Sequence, residues 1–169
     1  MNSAEILTEA FTRIRGVVAH SLDGLTPADL ATRPNGEGNS IAWLVWHLTR
    51  IQDDHVAEVA DRPQVWLKQG WVERFGLPFD PADHGYGHTS QQVSAVRPES
   101  ADLLLGYHDA VYQQTVDYLQ NLLDADLDRV VDKSWDPPVT LGARLVSVIS
   151  DDLQHAGQAA YAAGLLKLT

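Results

Sequence analysis

A chain of 169 residues, 44% hydrophobic and 21% charged, is sized for a single domain, residues 1–169, with a sizeable buried core. Its formal net charge of −11 argues against nucleic acid or an anionic membrane as partner, since both ask for clustered Lys and Arg. With no cysteine, disulfides, thiolate ligands and a protein thiol nucleophile are excluded, and sulfur chemistry needs a thiol brought in by a ligand.

The first residues, Met1 to Leu7, lack a basic region followed by an apolar run, and no stretch approaches the ~20 apolar residues that span a bilayer, so the expected location is the cytoplasm. Ile6, Phe11, Ile14, Val17, Val18 and Leu22 recur at three- and four-residue steps, which predicts a first long helix ending near Asp23-Gly24. Thr26-Pro27 opens a short turn of helix to Leu30, and Arg33 to Gly38 is a loop by its Pro and Gly content. Asn39 or Ser40 caps a second long helix that runs to about Ala60. Its first half, with Ile41, Trp43, Leu44, Val45 and Trp46, is apolar on nearly every side, which puts His47 deep in a bundle.

Arg62-Pro63 breaks that helix. A short helix over Gln64 to Phe75, carrying Trp66 and Trp71, then leads into a Gly-, Pro- and Asp-rich excursion from Gly76 to Gly87. Thr89 and Gln92 fit a capping box for a short helix to about Val96. Pro98-Glu99-Ser100 starts the third long helix, to about Leu123, with Leu103, Leu104, Tyr107, Val111, Val116 and Leu119 inward. Leu127 to Trp135 reads as irregular or weakly extended. Thr140 caps the last helix, to about Leu166, with an inward stripe of Leu141, Leu145, Val148, Ile149, Leu153, Ala156, Ala160 and Ala163. The expected fold is all-α: a four-helix bundle with one excursion between the second and third long helices.

Two histidines carry the chemistry of interest. His47 lies on the second long helix and His155 on the last, where Asp151 precedes it by four residues and shares its face, about 40° away. Two imidazoles and a carboxylate suit a divalent ion, with zinc first and nickel or iron as alternatives, and leave coordination positions open. Asp152 competes with Asp151 for the carboxylate role, although i,i+4 places two side chains more nearly in line. Asp54 lies seven residues after His47, roughly 10 Å along the helix, which suits a substrate group better than a ligand. His88, after Gly85-Tyr86-Gly87, could face the open end of the bundle. His84 and His55 are weaker candidates, and His20 and His108 have no companion pattern. Trp43, Trp46 and Trp71 belong to the core or wall a pocket.

The segments Ile41 to Leu48, Gly85-Tyr86-Gly87-His88-Thr89 and His155-Ala156-Gly157-Gln158, in this order across nearly the whole chain, resemble the DinB superfamily of bacterial four-helix bundles, which includes mycothiol- and bacillithiol-dependent enzymes. The resemblance extends to the branch holding the metal-binding domain of mycothiol-dependent maleylpyruvate isomerase. It implies a three-ligand site on His47, Asp151 and His155, a low-molecular-weight thiol such as mycothiol as cofactor, and a homodimer. Two departures stand out: Asp151 occupies a position where many relatives have histidine or glutamate, and Ala156 one where many have arginine.

The leading expectation is a metal-dependent thiol S-transferase or isomerase acting on a small electrophile, with Arg50, Asp54 and His88 as the polar residues that orient that electrophile. A small metal-dependent hydrolase with Asp54 or Asp152 as base, and a non-catalytic metal-binding or stress-related bundle, remain as alternatives.

Overall fold

The computed structural model describes residues 1–167. Four long helices carry the architecture: α1 (Ser3–Leu22), α3 (Ile41–Val59), α7 (Ala101–Leu119) and α8 (Leu141–Leu166). Four short ones connect them: α2 (Pro27–Ala31), α4 (Val65–Lys68), α5 (Trp71–Phe75) and α6 (Ser90–Ala95). A two-stranded antiparallel hairpin, β1 (Val130–Asp132) with β2 (Val139–Thr140), precedes α8. Among the described residues no helix is long and apolar enough to cross a membrane.

Helix starts follow from side-chain caps. Ser40, Ser100 and Thr140 each accept the backbone N–H three residues on, satisfying a donor the helix itself leaves open. Asn2 with Glu5, Thr26 with Asp29 and Thr89 with Gln92 form full capping boxes. The core is a single cluster running from Phe11, Ile14 and Val18 of α1 through Leu44, Trp46 and Leu48 of α3 to Leu104 and Tyr107 of α7 and Leu145 and Val148 of α8.

Both α1 and α3 pack on α7 and on α8. Arg15–Asp109 and Thr12–Tyr112 contacts make α1 and α7 antiparallel. His47 facing His155, and His55 facing Arg144, do the same for α3 and α8. Hence the first half of α3 lies beside the last half of α8, at the end of the bundle away from the hairpin.

Segment 60–100 is held to α3 by two buried charges. The Arg50 guanidinium donates to the Asp83 carbonyl (3.2 Å), the Pro81 carbonyl (3.3 Å) and Gln64 Oε1 (2.8 Å). The Asp53 carboxylate accepts the N–H groups of Val65 and Trp66, both at 2.8 Å, and the Tyr107 hydroxyl at 2.9 Å. That carboxylate thus caps α4 from a neighbouring helix.

Three expectations are corrected. The helix expected over Gln64–Phe75 is two, α4 and α5, because Gly70 turns left-handed at φ 71° between them. The third long helix stops at Leu119 rather than near Leu123, because the Asp126 carboxylate takes the Leu123 N–H and opens a 3-10 turn, Asp124–Asp128. On α8 the inward stripe is Leu141, Leu145, Val148, Asp152, Ala156, Ala159 and Ala163. Leu153, expected inward, is 47% exposed, and Asp152 takes the core position beside it.

Candidate metal centre

His47 projects from the most deeply buried helix of the fold and is only 4% exposed. Asp151 and His155, one turn apart on α8, are half-buried and meet it from the opposite wall. One donor atom from each of the three lies within 4.8 Å of the other two. His155 Nε2 is already 3.6 Å from Asp151 Oδ1. A tetrahedral ion with bonds of about 2.1 Å holds its donors about 3.4 Å apart, so small side-chain movements close the set.

The far side of each imidazole is occupied. His47 Nδ1 lies 2.6 Å from the His84 carbonyl oxygen, and His155 Nδ1 lies 3.1 Å from Gln158 Oε1. Both acceptors are oxygens, so each Nδ1 carries the proton and each Nε2 keeps its lone pair for the cluster. Asp151 Oδ2 is buried with no partner among the described residues. A carboxylate oxygen left in that state costs free energy unless a cation answers it, so the donor set fits a divalent ion. Asp152, one residue and about 100° around the helix, faces the core and is not part of this cluster.

Burial holds the His47 pKa down at about 4, with the nearby His155 pushing the same way and the bond to His84 opposing both. The ring is thereby kept neutral, the form a metal needs. Trp43 stacks on His47 with ring centroids 4.5 Å apart and planes 12° from parallel, and meets His155 edge-on at 6.1 Å. Trp46 stacks on His88 at 5.7 Å. Trp71 packs instead against Tyr107, at 5.6 Å, away from the cluster.

Of the polar residues expected to orient an electrophile, His88 does not face the open end of the bundle: its side chain is 3% exposed, its ring is enclosed by Trp43, Trp46 and Phe79, and both ring nitrogens are engaged, by Trp43 Nε1 and Asp83 Oδ2. Arg50 is fully buried, with its guanidinium engaged by the excursion. The Asp54 carboxylate accepts from Gln64 Nε2 at 2.7 Å and keeps part of its surface open. His55 sits 3.4 Å from the Arg144 guanidinium, which is paired with Asp132 at 3.1 Å. His108 is buried mid-bundle against Thr49. His84, a weaker candidate by its loop position, takes part through its backbone carbonyl, which has no residue-type signature. The Gly85-Tyr86-Gly87 run is the available signal.

A family model of the DinB superfamily matches residues 10–159. The crystal structure of a conserved protein from Enterococcus faecalis is similar over 100% of this chain and 99% of that one, with 31% sequence identity and a TM-score of 0.92. A search of curated proteins finds no match.

Proposed function

The chain belongs to the DinB superfamily, a family of metal-binding domains, and on that premise we propose that His47, Asp151 and His155 hold a divalent cation for chemistry on a low-molecular-weight thiol of the mycothiol kind. Zinc is the first choice for two imidazoles and a carboxylate, with nickel or iron as alternatives. The observation that carries this reading is the convergence of the three donors, with both Nδ1 atoms already satisfied by oxygens.

A bound divalent metal ionises a thiol that coordinates it. A free thiol of pKa ~8.5 is about 3% ionised at pH 7, so ionisation supplies at most roughly thirtyfold. Placement of the electrophile has to supply more. The chain has no thiol of its own, so the sulfur comes from a small-molecule partner. Trp43 covers His47 on one face and keeps water from it, while Asp151 and His155 stand at the open rim. Asp54 is the group we assign to substrate, while His88, buried and engaged by Trp43 and Asp83, and Arg50 act through the loop they hold. The reaction is S-transfer to, or thiol-assisted isomerisation of, a small electrophile.

The test measures metal by elemental analysis and thiol consumption with an electrophilic quinone, for wild type, His47→Ala and His155→Ala. The reading expects about one equivalent of metal and metal-dependent conjugation in wild type only. Metal content that survives both substitutions, or conjugation indifferent to metal, overturns it.

A further inference from the structure

We propose that the loop of residues 83–88 is a clamp that fixes the ring of His47, with Asp83 and Gly85 as positioning residues for the metal site; this rests on the reading of His47 as a ligand. The proton positions can be worked out from donors alone. Trp43 Nε1–H can only donate, and it points at His88 Nδ1, 3.1 Å away. His88 Nδ1 therefore carries no proton, and Nε2–H donates to Asp83 Oδ2 at 3.0 Å. Asp83 Oδ1 accepts the Gly85 N–H at 2.8 Å. That N–H belongs to the same peptide unit as the His84 carbonyl, and in a trans peptide the two point in opposite directions. One end of the unit is held by Asp83 and the other receives the proton of His47 Nδ1.

The peptide can approach this closely only because residue 85 has no side chain. A Cβ there would stand 2.9 Å from His47 Nδ1 and 2.9 Å from Trp46 Cζ3, on a backbone at φ 93°. Arg50 fixes the base of the loop through the Asp83 and Pro81 carbonyls. The relay therefore runs from Trp43 through His88, Asp83 and the 84–85 peptide to His47, and of the two nitrogens of that ring it leaves Nε2 free for an ion. Groups that fix a ligating imidazole from outside commonly govern metal affinity about 10–100-fold.

Asp83→Asn is the sharpest test, because it keeps the shape. Whichever way the new amide is turned, its NH2 faces a donor, either His88 Nε2–H or Gly85 N–H. Gly85→Ala tests the close approach, and Tyr86→Ala, whose side chain is 85% exposed, serves as the control. Zn2+ affinity is measured by competition with a chromophoric chelator, melting temperature on the metal-free proteins, and the His47 tautomer by 15N NMR. We expect a 10–100-fold loss of Zn2+ affinity in Asp83→Asn and Gly85→Ala, a melting temperature near wild type in Asp83→Asn and a lowered one in Gly85→Ala, whose Cβ is strained at φ 93°, and a shift of His47 from one Nδ1–H tautomer to a mixture. Tyr86→Ala should match wild type. Unchanged affinity, or lost affinity with the His47 tautomer unmoved, overturns the clamp. If wild type binds no Zn2+, the metal reading fails, and the tautomer in the variants alone decides the clamp.

Discussion

Beside the 83–88 loop, His47, Asp151 and His155 turn their free donor atoms toward one another, whereas in the bundle interior Gln52 Oε1, His108 Nε2 and both oxygens of Asp152 are buried with no partner among the described residues. The two regions use the same helices and similar residue types. Asp151 and Asp152 are even neighbours in sequence, yet one joins a convergent set and the other stands alone in the core. Isolated buried polar groups cost free energy, and a convergent set recovers it by sharing an ion. Convergence, rather than polarity or burial, is thus what separates a candidate site from a strained core.

The largest effect should fall on the convergent side. Structural zinc binding of about 10–16 kcal/mol over four ligands is roughly 3 kcal/mol per ligand, more than a hundredfold in affinity. Asp151→Ala should lose metal on that scale, while Asp152→Asn should keep it, both read by chelator competition. Equal losses from the two substitutions would dissolve the contrast between the regions.

The interior should announce itself through pH. Burial holds the fully buried His108 at about 4, from an ordinary 6.5, with Asp109 opposing and Arg15 adding to the shift. Thr49 Oγ1 donates to the Val45 carbonyl, so it accepts from His108 Nδ1 and leaves Nε2 bare. The folded value is depressed, so the stability tied to the neutral ring is present above about 6.5 and lost as pH falls through about 4. The loss is about 3 kcal/mol. Urea titrations across this window should show His108→Leu losing less stability on acidification than wild type.

Asp152 works in the opposite sense. Burial pushes its carboxyl well above the ordinary carboxylate range, helped by the charge of Asp151. A raised folded value means stability present at low pH and lost as pH rises through that value. Asp152→Asn removes the ionisation and should be about 1–3 kcal/mol more stable than wild type at pH 8, with the gap closing toward pH 4. An equal gap at both pH values would show that ionisation is not what strains the core.

Much of the fold was written in local chemistry. Ser40, Thr89 with Gln92, Ser100 and Thr140 mark helix starts because each cap bonds within three residues. The Asp151–His155 spacing was readable for the same reason, being one turn of one helix. What residue spacing could not carry is contact across the chain: His47 meeting α8, which only the family resemblance implied, and the His84 carbonyl or the buried roles of Arg50 and Asp53 in fastening the excursion, which nothing in the sequence marked. Those depend on where the excursion lands, which the residues of α3 do not encode locally.

The smallest prediction concerns the phase of α8. Hydrophobic type suggested Leu153 as an inward position, and a core aspartate at 152 contradicted every expectation of a hydrophobic stripe. The helix cannot satisfy both, because adjacent residues differ by about 100° around the axis. Its phase is set by Leu141, Leu145, Val148, Ala156, Ala159 and Ala163 together, and that majority carries Asp152 inside and Leu153 out. Leu153→Ala should therefore change stability by no more than about 0.5 kcal/mol, as at an ordinary surface site. Leu145→Ala, at a fully buried position of the same helix, should cost about 2–5 kcal/mol. Comparable costs at the two positions would mean that α8 is rotated from this arrangement, and Asp151 and His155 would then no longer share a wall with His47.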